Sequence, residues 1–168
     1  MIVLAVDPGP TTSGVVVYDG KRVLYASKND TISDVYALIE DNPHAADLIA
    51  CERVQSYGIA GASLLRTAEV YGGIRRTAEA ARLSFDGIYR RDVCNALHVK
   101  GKGRDQQVRW RMIEMHGGSK AEAIGKKRAP GPLYGVTSHA WQALGLAVVA
   151  RERALVAALE AAPVGGAS

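Results

Sequence analysis

MIVLAVDPGPTTSGVVVYDG, residues 1–20, decides how the rest of the chain is read. Ile2 to Val6 is a short, continuous apolar run of the kind a strand buried on both faces requires. Asp7 ends it, and Pro8-Gly9-Pro10 can continue neither a ladder nor a helix, so the chain turns. Gly14 to Tyr18 resumes as a second strand, and Asp19-Gly20 signals a hairpin into a third, Lys21 to Lys28. The outcome is an antiparallel three-stranded unit with a carboxylate at the end of its first, central strand.

An Asp before Pro-Gly is by itself as readily a turn residue as a catalytic one. A second acid in the same setting changes the balance. Asp47 to Cys51 is another buried-type strand, and it ends on Glu52. If the two strands are parallel neighbours, both carboxylates emerge at one edge of the sheet, where α/β proteins keep their sites. That arrangement suits a metal site or an acid/base pair.

The 168 residues suffice for one domain, read here as residues 1–160 with a flexible tail from 161 to 168. No apolar run reaches the roughly 18 to 20 residues of a membrane span, and the start of the chain has neither the basic region nor the cleavage site of a signal peptide, so a cytoplasmic location is expected. Cys51 and Cys94, widely spaced and without companions, read as reduced core residues. The net charge of +4 is unevenly distributed: residues 1–73 hold 5 Lys/Arg against 9 Asp/Glu, and residues 100–128 hold 9 against 3. An acidic first half beside a basic third quarter suggests a catalytic centre next to a surface for a polyanion, although such cations also serve simply to solvate helices.

Between these landmarks, Ile32 to Ile39 has the apolar spacing of a helix that crosses between the hairpin and the strand ending at Glu52. Tyr57 sits in the polar loop that follows and reads as core edge or as a stacking residue for an unpaired base. Ile59 to Leu83 predicts one long helix, with Gly72-Gly73 marking a bend or a close approach, and Ser84 to Val93 a last strand. Lys100-Gly101-Lys102-Gly103-Arg104 leads into a helix from Gln106 to His116, and its cations, extended by Arg109, suit phosphate oxygens. Val108, Met112 and Met115 are read as core, Ser119 to Gly135 as a mobile surface loop, and Ser138 to Ala162 as a closing helix with Thr137 or Ser138 as N-cap. His139 and Gln142 share one face of its first turn.

The D-P-G motif at Asp7, the acid in Cys51-Glu52-Arg53-Val54, the GKGRDQQV segment at 101–108 and the S-H-A-W-Q-A-L-G-L-A helix, taken in this order, resemble the RuvC family of Holliday-junction resolvases, especially its phage-encoded relatives. The resemblance runs from Met1 to about Arg151. It implies an RNase H-like α/β fold with a central mixed five-stranded sheet flanked by helices. It also implies a homodimer acting on branched DNA, with its apolar dimer surface around Tyr71 to Ile74. Asp7, Glu52 and His139 would be catalytic residues and ligands of two Mg²⁺ or Mn²⁺ ions, with Asp7 bridging them, and Lys100, Lys102, Arg104 and Arg109 would face the DNA.

One position departs from the family pattern. Gln142 stands where an acid is usual, so the site has two carboxylates and an imidazole, which predicts a preference for Mn²⁺. The same departure keeps open a junction-binding protein with a damaged centre. The D-P-G-P-T-T-S-G turn also resembles the phosphate loop of sugar kinases and actin-like ATPases, which close two such domains over a nucleotide where this chain has length for one.

Overall fold

The computed structural model describes residues 1–56 and 58–162, so Tyr57 and the tail from 163 onward lie outside the described residues. The opening unit forms as its sequence requires. Strand β1 (Val3–Asp7) pairs antiparallel with β2 (Thr12–Tyr18), and β2 with β3 (Val23–Thr31). Helix α1 (Ile32–Glu40) starts at a capping box in which Thr31 and Asp34 bond each other's backbone, then crosses to β4 (Leu48–Arg53). Strand β4 lies parallel to β1 with Val6 opposite Cys51, so Asp7 and Glu52 are the next residues on adjoining strands.

Helix α2 (Ala62–Ala80) leads to β5 (Ser84–Tyr89), which lies parallel to β4, and the sheet order is β3-β2-β1-β4-β5. This is a mixed five-stranded sheet flanked by helices, with β1 at its centre. One face packs α1 and α2 over Leu4, Val6, Val15, Ile49 and Cys51. The other face packs the long α6 (Ala140–Ala161), together with α4 (Arg104–Met115), over Val3, Ala5, Val16 and Ala50. Alternate residues of β1 thus enter opposite cores, as the period of a strand demands. The two cysteines are buried and free.

Several boundaries differ from the sequence expectation. Helix α2 stops short of both predicted ends and runs unbroken through Gly72-Gly73; a Cβ on Gly73 would overlap the Tyr36 hydroxyl, so Gly73 marks a close approach to α1 and not a bend, while Gly72 faces open space. Ile74 is fully buried and the partly buried Tyr71 packs edge-on to Phe85; the exposed large apolar residues nearest on the chain are Ile59 and Leu65. The predicted strand to Val93 ends at Tyr89, and helix α3 (Arg90–Ala96) follows with no intervening turn. The expected loop 119–135 contains helix α5 (Lys120–Ala123) and a small hairpin of β6 (Gly125–Lys126) and β7 (Ala129–Pro130), and it buries Ala123 and Leu133 in the core. Met115 is exposed. No helix among the described residues is long and apolar enough to cross a membrane.

Candidate active site

Three parallel strands deliver three charged residues to one edge. Asp7 ends β1, Glu52 comes next to last in β4, and Arg90 follows the last residue of β5, with Arg53 opposite Tyr89 in the register. Helix α6 supplies the fourth and fifth groups. His139 is its N-cap residue, with Nδ1 3.8 Å from an Asp7 carboxylate oxygen, and Gln142 lies one turn on. His139 can come this close because β2 has Gly14 beneath it: a Cβ there would stand 2.7 Å from the His139 carbonyl carbon and oxygen. Helix α4 begins at Arg104, two residues earlier than predicted, after Gly103 in the left-handed region at φ +71°, and this places Asp105 in the site as well.

Arg90 ties the group together. One guanidinium nitrogen donates to Glu52 at 3.1 Å; the other donates to Gln142 Oε1 at 3.1 Å and to the Asp105 carboxylate. Because the guanidinium is donor-only, the Gln142 amide must turn its oxygen toward Arg90, and its nitrogen faces the Asp105 carbonyl at 3.4 Å.

The electrostatics follow from burial. The side chains of Asp7 and Glu52 are only 16% and 21% exposed. Loss of hydration pushes Asp7 up to about 6; the nearby Arg90 opposes this and Asp105 adds to it. Glu52 is pushed up to about 7, first by burial and then by the charge of Asp7, although Arg90 bonds it directly. One guanidinium does not compensate two desolvated carboxylates. Arg90 itself is drawn down by burial, but Glu52 and Asp105 outweigh that effect and hold it charged.

Two hollows flank Arg90 and Pro8, which line both. The first, about 570 Å³, is bounded by Asp7, Thr11, Asp105, His139 and Gln142. The second, about 280 Å³, has Glu52 among Arg53, Arg91, Arg104 and Thr67. An acidic hollow and a basic one therefore share a wall.

Solved structures share this architecture. Thermus thermophilus RuvC in complex with a Holliday junction substrate superimposes with a TM-score of 0.68 over 93% of this chain and 96% of that chain, at 19% identity. The fold is RuvC-like. A second structure of Thermus thermophilus RuvC gives a TM-score of 0.67 at 20% identity, covering 94% and 97% of the two chains. No family model and no curated protein matches the chain.

On this RuvC-like frame, Asp7, Glu52, His139 and Gln142 are brought to one sheet edge from three elements. The basic residues divide. Arg104 lines the hollow that contains Glu52 and donates to the Gly101 carbonyl, whereas Arg109 lies 5.2 Å over the Trp141 ring of α6. Lys100 and Lys102 are exposed, and their carbonyls are held by Gln107. Two site residues, Arg90 and Asp105, were not singled out from the sequence. Arg90 had a signal available: had the last strand been ended at Tyr89, the next residue would have fallen at the same sheet edge as Glu52.

The donor set suits a hard divalent cation, since two buried carboxylates short of positive charge are the oxygen donors that Mg²⁺ and Mn²⁺ take. The fit extends to one ion at Asp7. Glu52 is already bonded to Arg90, and no three His, Cys, Asp or Glu side chains among the described residues are grouped as a metal centre would need.

Proposed function

We propose that the protein is a divalent-metal-dependent, structure-selective DNA endonuclease that resolves four-way junctions as a homodimer. The observation that carries this reading is the pair of desolvated carboxylates, Asp7 and Glu52, on adjoining parallel strands of a RuvC-like sheet, beside a hollow lined by four arginines. The structural neighbours add support, since one was solved with a Holliday junction substrate.

Hydrolysis of a phosphodiester forms a bond from a water oxygen to phosphorus and breaks the bond to the departing sugar oxygen, which takes up a proton. A bound divalent ion supplies charge neutralisation at the phosphate and a more acidic water. Asp7 would hold it with an oxygen donor, Glu52 would hold Arg90 beside it, and His139, exposed beside Asp7, would orient or deprotonate the water. Arg53, Arg91 and Arg104 would take the flanking phosphates, with Lys100 and Lys102 extending that grip along the DNA. Two such sites set apart by dimer symmetry would cut matching strands across a branch.

A second reading, a junction binder without cleavage, is favoured by one feature: Gln142, at the usual place of an acid, bonds Arg90. Strand cleavage of a labelled four-way junction beside linear duplex, in Mg²⁺ and in Mn²⁺, separates the two. Paired symmetric cuts in the junction alone are expected; tight junction binding without cuts in either metal establishes the binder, and ATP binding in place of DNA binding returns the sugar-kinase comparison.

A further inference from the structure

We propose that Arg90 is a built-in counter-cation that fills the Glu52 side of the site, so that each chain binds one divalent ion, at Asp7, where a two-metal centre would bind two. The inference rests on the nuclease reading for its setting and on the Arg90 contacts for its content.

Arg90 is placed by the fold and not by chance surface contact. It follows β5 directly, opens α3, and projects into the space between β4 and α6, where its side chain is 35% exposed. Its guanidinium bonds Glu52, Gln142 and Asp105 at once, so one side chain occupies the ground shared by two hollows. A metal at Glu52 would have to share that carboxylate with a fixed positive charge 3.1 Å from its Oε2, or displace a guanidinium that engages three acceptors.

Gln142 fits this arrangement. Its oxygen accepts from Arg90 and its nitrogen faces a backbone carbonyl, so the amide is oriented by the guanidinium and, unlike a carboxylate, brings no negative charge to a second cation. Formal charge agrees: Asp7, Glu52 and Asp105 set against Arg90 leave two negative charges, which one divalent ion balances. A second ion would leave the site positive until a phosphate arrived. The fixed guanidinium can instead meet that phosphate itself, as a planar donor suited to its oxygens.

The test is the stoichiometry of Mn²⁺ bound to the full chain, read from the loss of the free-ion paramagnetic resonance signal, in wild type, Arg90→Lys and Arg90→Gln, each checked for folding by circular dichroism. One ion in wild type and in Arg90→Lys, with a second ion or at least about tenfold tighter binding in Arg90→Gln, is expected. Two ions in wild type overturn the proposal whatever the variants do, and so does an Arg90→Gln titration identical to wild type. Junction cleavage by a wild type that binds two ions would overturn this inference alone. Absence of any Mn²⁺ binding, with no cleavage, would overturn it together with the nuclease reading.

Discussion

The strand-end cluster and the start of α4 lie side by side and handle charge in opposite ways. Asp7 and Glu52 are desolvated, and their charges act at short range in a poor dielectric; Lys100, Lys102 and Asp105 stand in water. The first arrangement costs stability and makes chemistry available. The second costs little and gives attraction that salt screens. The proposed nuclease would need both, because affinity for DNA comes from many weak phosphate contacts and the chemical step comes from a few strongly perturbed groups.

The sharpest way to break this contrast is to remove one buried charge. Glu52→Gln should lower junction cleavage by roughly 10²–10³-fold while leaving junction affinity intact, measured as single-turnover rate and gel-shift binding on the same preparation. Equal losses in rate and affinity would merge the two regions into one.

Salt should act in the opposite sense. If Lys100, Lys102, Arg104 and Arg109 each meet a phosphate, binding should weaken by roughly 10²-fold between about 50 and 200 mM salt, and Lys102→Ala should flatten the logarithmic slope by about 1. Fluorescence anisotropy with a labelled junction reads both. A slope unaffected by Lys102→Ala would take that residue off the DNA.

The pH dependence belongs to the buried pair. Asp7, raised to about 6, would have to lose its proton to hold an ion, and Glu52, raised to about 7, to hold Arg90, so cleavage should rise from pH 5 to 8, by about tenfold per unit between pH 6 and 7 and more steeply below. Metal-free stability runs the other way. Folded values above the unfolded ones mean that these groups stabilise the fold fully below their ordinary values of 3.8 and 4.5, and that this contribution is lost as pH rises through about 6 and about 7. Thermal melts at pH 5 and pH 8, on wild type and on Asp7→Asn, isolate the effect. It should shrink in the variant.

The smallest effect concerns placement. Gly14→Ala forces a methyl against the His139 backbone, and the expected cost is about 1–3 kcal/mol, seen as a lowered melting temperature. An unchanged melt would mean that the start of α6 yields.

What was legible in advance follows the same division. Asp7 and Glu52 could be read because each closes a run of apolar residues, and an acid there has no place in a core. His139 needed those two acids before it meant anything. Arg90 was missed because β5 is only partly buried, with Asp86 and Gly87 inside it, and because Tyr89 caps α3 without a side-chain bond, so neither burial nor turn chemistry marked the boundary. Asp105 was hidden by the basic, glycine-spaced residues around it, and its role appears only once Arg90 is in place. Met115 follows the apolar spacing of α4 yet ends exposed, since periodicity gives a face and not its limits.

The measurement that bears most directly on the central claim is strand cleavage of a preformed protein–junction complex, on addition of Mn²⁺, by wild type and Asp7→Asn. Symmetric cuts by wild type, lost in a variant that binds the junction as tightly and melts at a higher temperature without metal, are what a buried, charge-bearing centre predicts. Equal cleavage by both proteins, or none by either, would contradict it.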